Sequence, residues 1–261
     1  MPKYCYLVVE GPHDVAFVGR FLRLAGMSRV QKLSGLDSFW RSLVPREFPP
    51  DDDLLKRVPV PSFFSGMSHS VAVSSAVGDS RIAETIEETL SVAEWDIESL
   101  EGIGILLDAD TEQIAAKRFG SVKDEIRKKI GLFLPDAPGV VSVETSPRSG
   151  IFIMPDNHSA GTLEDLLIQS SEISYPKLLA AADIFVNEAA SEIVRYNSKE
   201  KKDFLSPSGI NKATVGVIAN ALRPGKAVQV SIEDNRWITE ETLAIPDIAA
   251  FDNFICDLLN F

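Results

Sequence analysis

The sequence predicts a mixed α/β fold, a mostly parallel sheet of four to five strands with helices on both faces, followed by a helical C-terminal extension. Three observations predict it. Short, continuous apolar runs rich in Val and Ile read as strands buried on both faces. Segments with apolar residues at helical spacing separate these runs, which is the alternation of a parallel sheet. Beyond about residue 161 the strand-like runs stop and the helical spacing continues.

The elements follow in order. Residues 4–9 (Y-C-Y-L-V-V) form the first strand, ended by Glu10-Gly11. An amphipathic helix then carries Val15, Val18 and Leu22 on one face and stops near Gly26, a residue suited to the left-handed turn after a helix. Residues 34–69 read as an insertion or large loop. Phe39-Trp40 and Leu43 suggest one short helix in it, but Pro45, Pro49, Pro50, Pro59 and Pro61 disfavour helix and central strand alike. The run Asp51-Asp52-Asp53 reads as a solvated turn. Residues 70–77 form a second strand, and Gly78-Asp79-Ser80 turns into a helix marked by Ile82, Ile86 and Leu90. Residues 102–107 (G-I-G-I-L-L) form a third strand running into Asp108-Ala109-Asp110. The next helix shows Ala115, Phe119, Val122, Ile126 and Ile130, with Gly131 as its stop. Residues 140–143 and 150–154 supply a fourth and a fifth strand. Helices then follow through Leu179, Ala182, Val186 and Ile193, from Pro207 to Leu222, and through Ile248, Phe251, Ile255 and Leu258. The reading is an α/β core over residues 1–170 and a helical extension over 171–261 packed on it.

Bulk composition narrows the function. The chain of 261 residues carries 26 Lys and Arg against 38 Asp and Glu, a net charge of −12. Neutralising a duplex needs clustered Lys and Arg, so a general DNA-coating role is disfavoured. The carboxylates are either solvating surface or gathered around a cation. Cys5 and Cys256 form no C-x-x-C pair and read as buried thiols, which suits a reducing, cytoplasmic setting. No run approaches the roughly 18 apolar residues of a membrane span, and residues 4–9 are too short for a signal peptide.

In an open α/β sheet, ligands bind beyond the carboxyl ends of the strands. Glu10 ends the first strand and Asp14 lies one turn into the next helix. Asp108 and Asp110 end the third, with Glu112 beyond, and Glu164-Asp165 starts a later helix. Each piece has a plain structural explanation. Glu-Gly is a common turn, D-x-D recurs in acidic chains, and acids after the N-cap Thr162 are favoured by the helix dipole. Together they suggest convergence on Mg²⁺ or Mn²⁺, because a hard cation takes oxygen ligands, usually one or two carboxylates and several waters.

This arrangement resembles the Toprim domain, the metal-binding module of topoisomerases, primases and the overcoming-lysogenisation-defect nucleases. The resemblance is carried by L-V-V-E-G-P-H-D (residues 7–14) and G-I-L-L-D-A-D (residues 104–110). G-T-L-E-D-L-L (residues 161–167), Asn211-Lys212 opening a helix, Trp237 and the final amphipathic helix are similar to a stand-alone bacterial Toprim-like group of uncharacterised function. The resemblance implies a Rossmann-like Toprim core. It implies Glu10 as ligand or general acid/base, and Asp108 and Asp110 as metal ligands. Asp14 and Glu112 would be further acidic ligands, Glu164 or Asp165 a last carboxylate, and Lys212 a cation facing transition-state charge.

The expected function is metal-dependent phosphodiester hydrolysis of nucleic acid, DNA before RNA, in a setting such as phage defence. Two metals about 3.5–4 Å apart would activate a water and stabilise the leaving oxygen. The alternative is a catalytically inert module that binds metal or nucleotide and regulates a partner. A nucleotide-sugar transferase would use D-x-D alone and leaves Glu10-Gly11 and Glu164-Asp165 unexplained. Lys117-Arg118, Lys123, Arg127-Lys128-Lys129, Arg148 and the lysines within residues 199–202 are candidate nucleic-acid contacts, though acids are interspersed among them and most fit an exposed helix face. No G-x-x-x-x-G-K-[ST] occurs, so an ATPase partner would be a separate chain. The sequence leaves self-association open. His13, His69 and His158 read as surface or supporting groups.

Overall fold

The computed structural model describes residues 2–47, 49, 52–54, 59–76, 81–110 and 115–261. A mixed, seven-stranded sheet lies between two layers of helices. Its strands are β1 (Lys3–Val9), β2 (Ser28–Arg29), β3 (Ser62–Ser65), β4 (His69–Ser75), β5 (Gly102–Asp108), β6 (Val141–Ser142) and β7 (Arg148–Met154). Their spatial order is β2-β3-β4-β1-β5-β7-β6. The four central strands β4, β1, β5 and β7 are mutually parallel. They are the continuous apolar runs of the sequence, as expected where helices cover both faces. The short outer strands pair antiparallel, edge β2 with β3, β3 with β4, and edge β6 with β7.

The sheet therefore has more strands than the four to five expected. Two additions, β2 and β3, flank and enter the segment read as an insertion, whose prolines lie outside the four paired residues of β3. The short helix expected there is a 3-10 helix, Ser38–Leu43. The strand expected at residues 140–143 shortens to β6, an antiparallel edge. Asp52 and Asp53 are exposed, as a solvated turn requires, whereas Asp51 and the Gly78-Asp79-Ser80 turn lie outside the described residues. Cys5 is buried, but Cys256 is only half-buried, which corrects its reading as a core thiol: on the last helix it sits beside the inward-facing Ile255 and not on the same face.

Side-chain alternation along β1 divides the core. Leu7 and Val9 face one layer with Leu106 and Phe152. That layer comprises α1 (Pro12–Leu24), α4 (Leu163–Ser174), α5 (Pro176–Ser191), α7 (Gly209–Leu222), α8 (Val228–Asp234) and α9 (Pro246–Leu259). A short α6 (Ser198–Phe204) caps this group against α7. Tyr6 and Val8 face the opposite layer with Ile103, Ile105 and Leu107, covered by α2 (Ile82–Val92), α3 (Ala115–Ile130) and Trp40. The C-terminal helices share one apolar cluster with β1 and α1, so the extension is packed into the core.

Glycines let α9 lie directly on the sheet. A Cβ at Gly104 would overlap the Leu258 side chain and come within 2.7 Å of Leu7 Cδ2. One at Gly150 would come within 2.8 Å of the Phe254 ring. Among the described residues no helix is long and apolar enough to cross a membrane.

Candidate active site

The sheet changes winding direction around β1. The chain goes from β1 to β4 on one side, then crosses to β5 on the other. A crevice opens beyond the carboxyl ends of two parallel strands at such a point. Glu10 follows the end of β1, and Asp108 ends its neighbour β5.

Backbone donors fix these acids. Glu10 Oε1 accepts the Asp108 N–H at 3.0 Å and the Arg118 Nη2 at 3.0 Å. Gly11 caps α1, and its N–H donates to Asp14 Oδ2 at 2.7 Å, which turns the carboxylate back over the helix start. Asp108 Oδ1 accepts the N–H of Leu163, the first residue of α4, at 2.9 Å. The positive end of that helix thus faces an acid on the neighbouring strand. Glu164 follows and is 5% exposed, with His13 Nδ1 at 4.0 Å from its Oε1.

Glu10, Asp14, Asp108 and Glu164 line one cavity of about 420 Å³ with His13 and Lys212. Val215 of α7 and Val228 of α8 close its far wall, so the helical extension completes a site begun on the sheet. Asp165 works beside the cavity. Its Oδ2 accepts the Thr162 N–H at 2.7 Å, closing the α4 cap, and its Oδ1 accepts Asn211 Nδ2 at 2.8 Å. That second bond docks the start of α7 on the start of α4 and brings Lys212 to the cavity mouth.

Asp110 does not line the cavity. Its backbone is left-handed, with φ of +55°, and pairs with Gly161 in an isolated antiparallel bridge. Its side chain is 59% exposed and faces Arg118 Nη2 at 3.9 Å. Gly161 itself has φ of +148°, and a Cβ there would come within 2.8 Å of Asp165 Oδ2. Glu112 lies outside the described residues. Of the candidate nucleic-acid contacts, Lys123 pairs with Asp136 at 2.6 Å and Lys129 with Glu125 at 3.4 Å, while Arg148 donates to the Asp257 carbonyl. Lys117, Arg127 and Lys128 are exposed on α3.

Arg118 takes a different place from the surface contact considered for it. It is 8% exposed and ion-paired to Glu10. The signal was in the sequence. Position 118 falls between Ala115 and Val122 on the inward stripe of α3, where a charged residue needs a buried partner.

Electrostatics follow from burial and crowding. Burial, then the Glu10 and Glu164 charges, push the Asp14 carboxyl up to about 7 against the pull of the Gly11 N–H. Burial and the charges of Asp14, Glu10 and Glu164 also raise Asp108 well above the usual carboxylate range. Burial raises Glu10, with the Asp108 N–H and Arg118 opposing it. Burial is the largest influence on Glu164 too, but hydrogen bonds with His13 and Thr162 and the Lys212 charge together leave it below its ordinary value. Among the described residues no three His, Cys, Asp or Glu side chains form a ready-made metal cage.

A family model described as "Protein of unknown function (DUF3226)" matches residues 4–260. A crystal structure of a hypothetical protein from Pyrococcus horikoshii OT3 is similar over 98% of this chain and 95% of its own, with a TM-score of 0.51 and 15% identity. At that identity the likeness extends to the fold. No curated protein matches the sequence.

Proposed function

We propose that this chain, which belongs to the DUF3226 family, is a metal-dependent phosphodiesterase of the Toprim kind acting on nucleic acid, DNA in the first instance. One observation carries the reading. Four acids from three separate stretches of sequence line a single cavity at the point where the sheet changes winding, with a lysine at its mouth.

The donor set fits a hard divalent cation. It consists of carboxylate oxygens, and the buried Asp14 and Asp108 are crowded enough to hold their protons unusually tightly. A cation relieves that crowding directly. Mg²⁺ needs only one or two carboxylates, with waters completing its octahedron, so a closed cage of side chains is not required. Asp14 and Asp108 would hold the ion, with Glu164 beside them. When bound, the ion activates a water and offsets phosphate charge. Glu10 is oriented through Oε1 by two N–H donors, and its Oε2 would accept the proton of the attacking water. Lys212 would face the phosphodiester from α7.

The test is cleavage of plasmid and single-stranded DNA with Mn²⁺ or Mg²⁺. Asp108→Ala should abolish cleavage, and equal activity in the variant would assign the cleavage to a contaminant and end the proposal. The lack of a ready-made cage among the described residues favours one second reading, a module that binds metal or nucleotide without turnover and regulates a partner. Divalent-dependent thermal stabilisation without cleavage would select it.

A further inference from the structure

We infer that the Arg118 guanidinium is a built-in cation, standing beside the cavity where a second divalent ion would bridge Glu10 and Asp110, so that the acidic set as a whole takes one ion and not two. The inference rests on the metal-binding reading above and concerns its stoichiometry.

A single nitrogen, Arg118 Nη2, lies 3.0 Å from Glu10 Oε1 and 3.9 Å from Asp110 Oδ2. It thus draws together a carboxylate beyond β1 and another beyond β5, as a bridging ion would. A two-metal site needs its second ion about 3.5–4 Å from the first, with carboxylates of its own. Among the described residues, Glu10 and Asp110 are acids that Arg118 faces, and Glu10 Oε1 already receives two donors. On the cavity side, Asp14 and Asp108 receive the backbone N–H groups of Gly11 and Leu163. A permanent positive charge therefore serves one half of the acidic set, while Asp14 and Asp108 in the other half are held by backbone N–H groups.

The residue type matters. A guanidinium stays protonated at any working pH and can face two carboxylates at once. Its burial within the inward stripe of α3 would be unfavourable without that role, since Ala115, Phe119 and Val122 around it are apolar.

The experiment counts ions. Mn²⁺ is titrated into the full chain and into Arg118→Met and Arg118→Lys, with free Mn²⁺ followed by electron paramagnetic resonance and the fold checked by circular dichroism. One equivalent is expected for the wild type and the Lys variant, and two for the Met variant. Two equivalents in the wild type, or one in the Met variant, would overturn the inference and leave the metal reading standing. No bound ion in the wild type would overturn both. If Arg118→Met fails to fold, Arg118→Gln carries the same count.

Discussion

Replacing Asp14 by Asn should stabilise the metal-free protein at pH 8. Asp14 is 6% exposed, and its carboxyl is pushed from 3.8 to about 7. Every tenfold change in proton affinity corresponds to about 1.4 kcal/mol, so holding this group ionised at pH 8 costs the fold about 4 kcal/mol at most. The cost is shared with Asp108 and Glu164, and a buried Asn amide left short of partners returns about 1 kcal/mol of it. The net gain is therefore about 1–3 kcal/mol. The Asn oxygen can still accept the Gly11 N–H, so the α1 cap survives. For 261 residues the entropy of unfolding converts this to an increase of about 2–5 °C in Tm. The sign with pH follows from linkage. A carboxyl raised in the folded state destabilises as pH climbs from its unfolded value to its folded one. At pH 5, little more than one unit above the unfolded value, only about 1.6 kcal/mol of that cost remains, and after the penalty of the buried amide the advantage of Asn should fall below about 1 kcal/mol. Thermal unfolding in chelator at pH 8 and pH 5 measures both values. An Asn variant no more stable than wild type at pH 8, or equally stabilised at both pH values, would refute the reasoning.

Other perturbations test the scaffold. Gly104→Ala forces a Cβ into Leu258 and Leu7 and should cost at least about 1–3 kcal/mol, read as a lower urea midpoint. Asp165→Ala removes the α4 cap bond and the tie to Asn211; a loss of about 1–2 kcal/mol is expected, and under the proposed function DNA cleavage should weaken with it as Lys212 loses its place. A loss of stability without any change in cleavage would separate capping from positioning. His69 is lowered from 6.5 by burial, with Lys3 assisting and the Leu259 carbonyl and Glu101 opposing. Its contribution is therefore complete above pH 6.5 and is lost as pH falls through that value towards the folded one. The Tm of His69→Gln should show a shallower decline than wild type over that window, and parallel curves would count against this assignment.

What the sequence disclosed, and what it hid, follows from the range of the forces involved. The four central strands were legible because burial on both faces demands continuous apolar runs, and residues 4–9 and 102–107 are such runs, each followed by a turn signal. Glu10 and Asp108 were legible because strand ends of a parallel sheet face one rim. The edges β2 and β6, of two residues each, were not, because backbone pairing against an existing strand requires no pattern of its own. The two aspartates of D-x-D looked equivalent in sequence. The positive φ at Asp110 and its bridge to Gly161 send them to different sides, and both depend on a contact 51 positions away in the chain. Arg118 was read as part of an exposed basic face although it stands on the apolar stripe of α3, because its partner lies 108 residues away on another element.

The seating of α9 bears on the order of events during synthesis. Phe251, Phe254 and Leu258 cover the face formed by Leu7, Leu106 and Phe152, and Gly102, Gly104 and Gly150 leave room for nothing else there. Translation proceeds from the N-terminus at about 5–20 residues per second, so β1, β5 and β7 all leave the ribosome before the helix that shields them. For that interval of several seconds the part of the parallel sheet that α9 covers stays bare. Such pairings form slowly, and exposed strands invite association with other chains. Docking of α9 closes that exposed apolar face, and variants that loosen it should lower soluble yield more than they lower the Tm of the molecules that do mature.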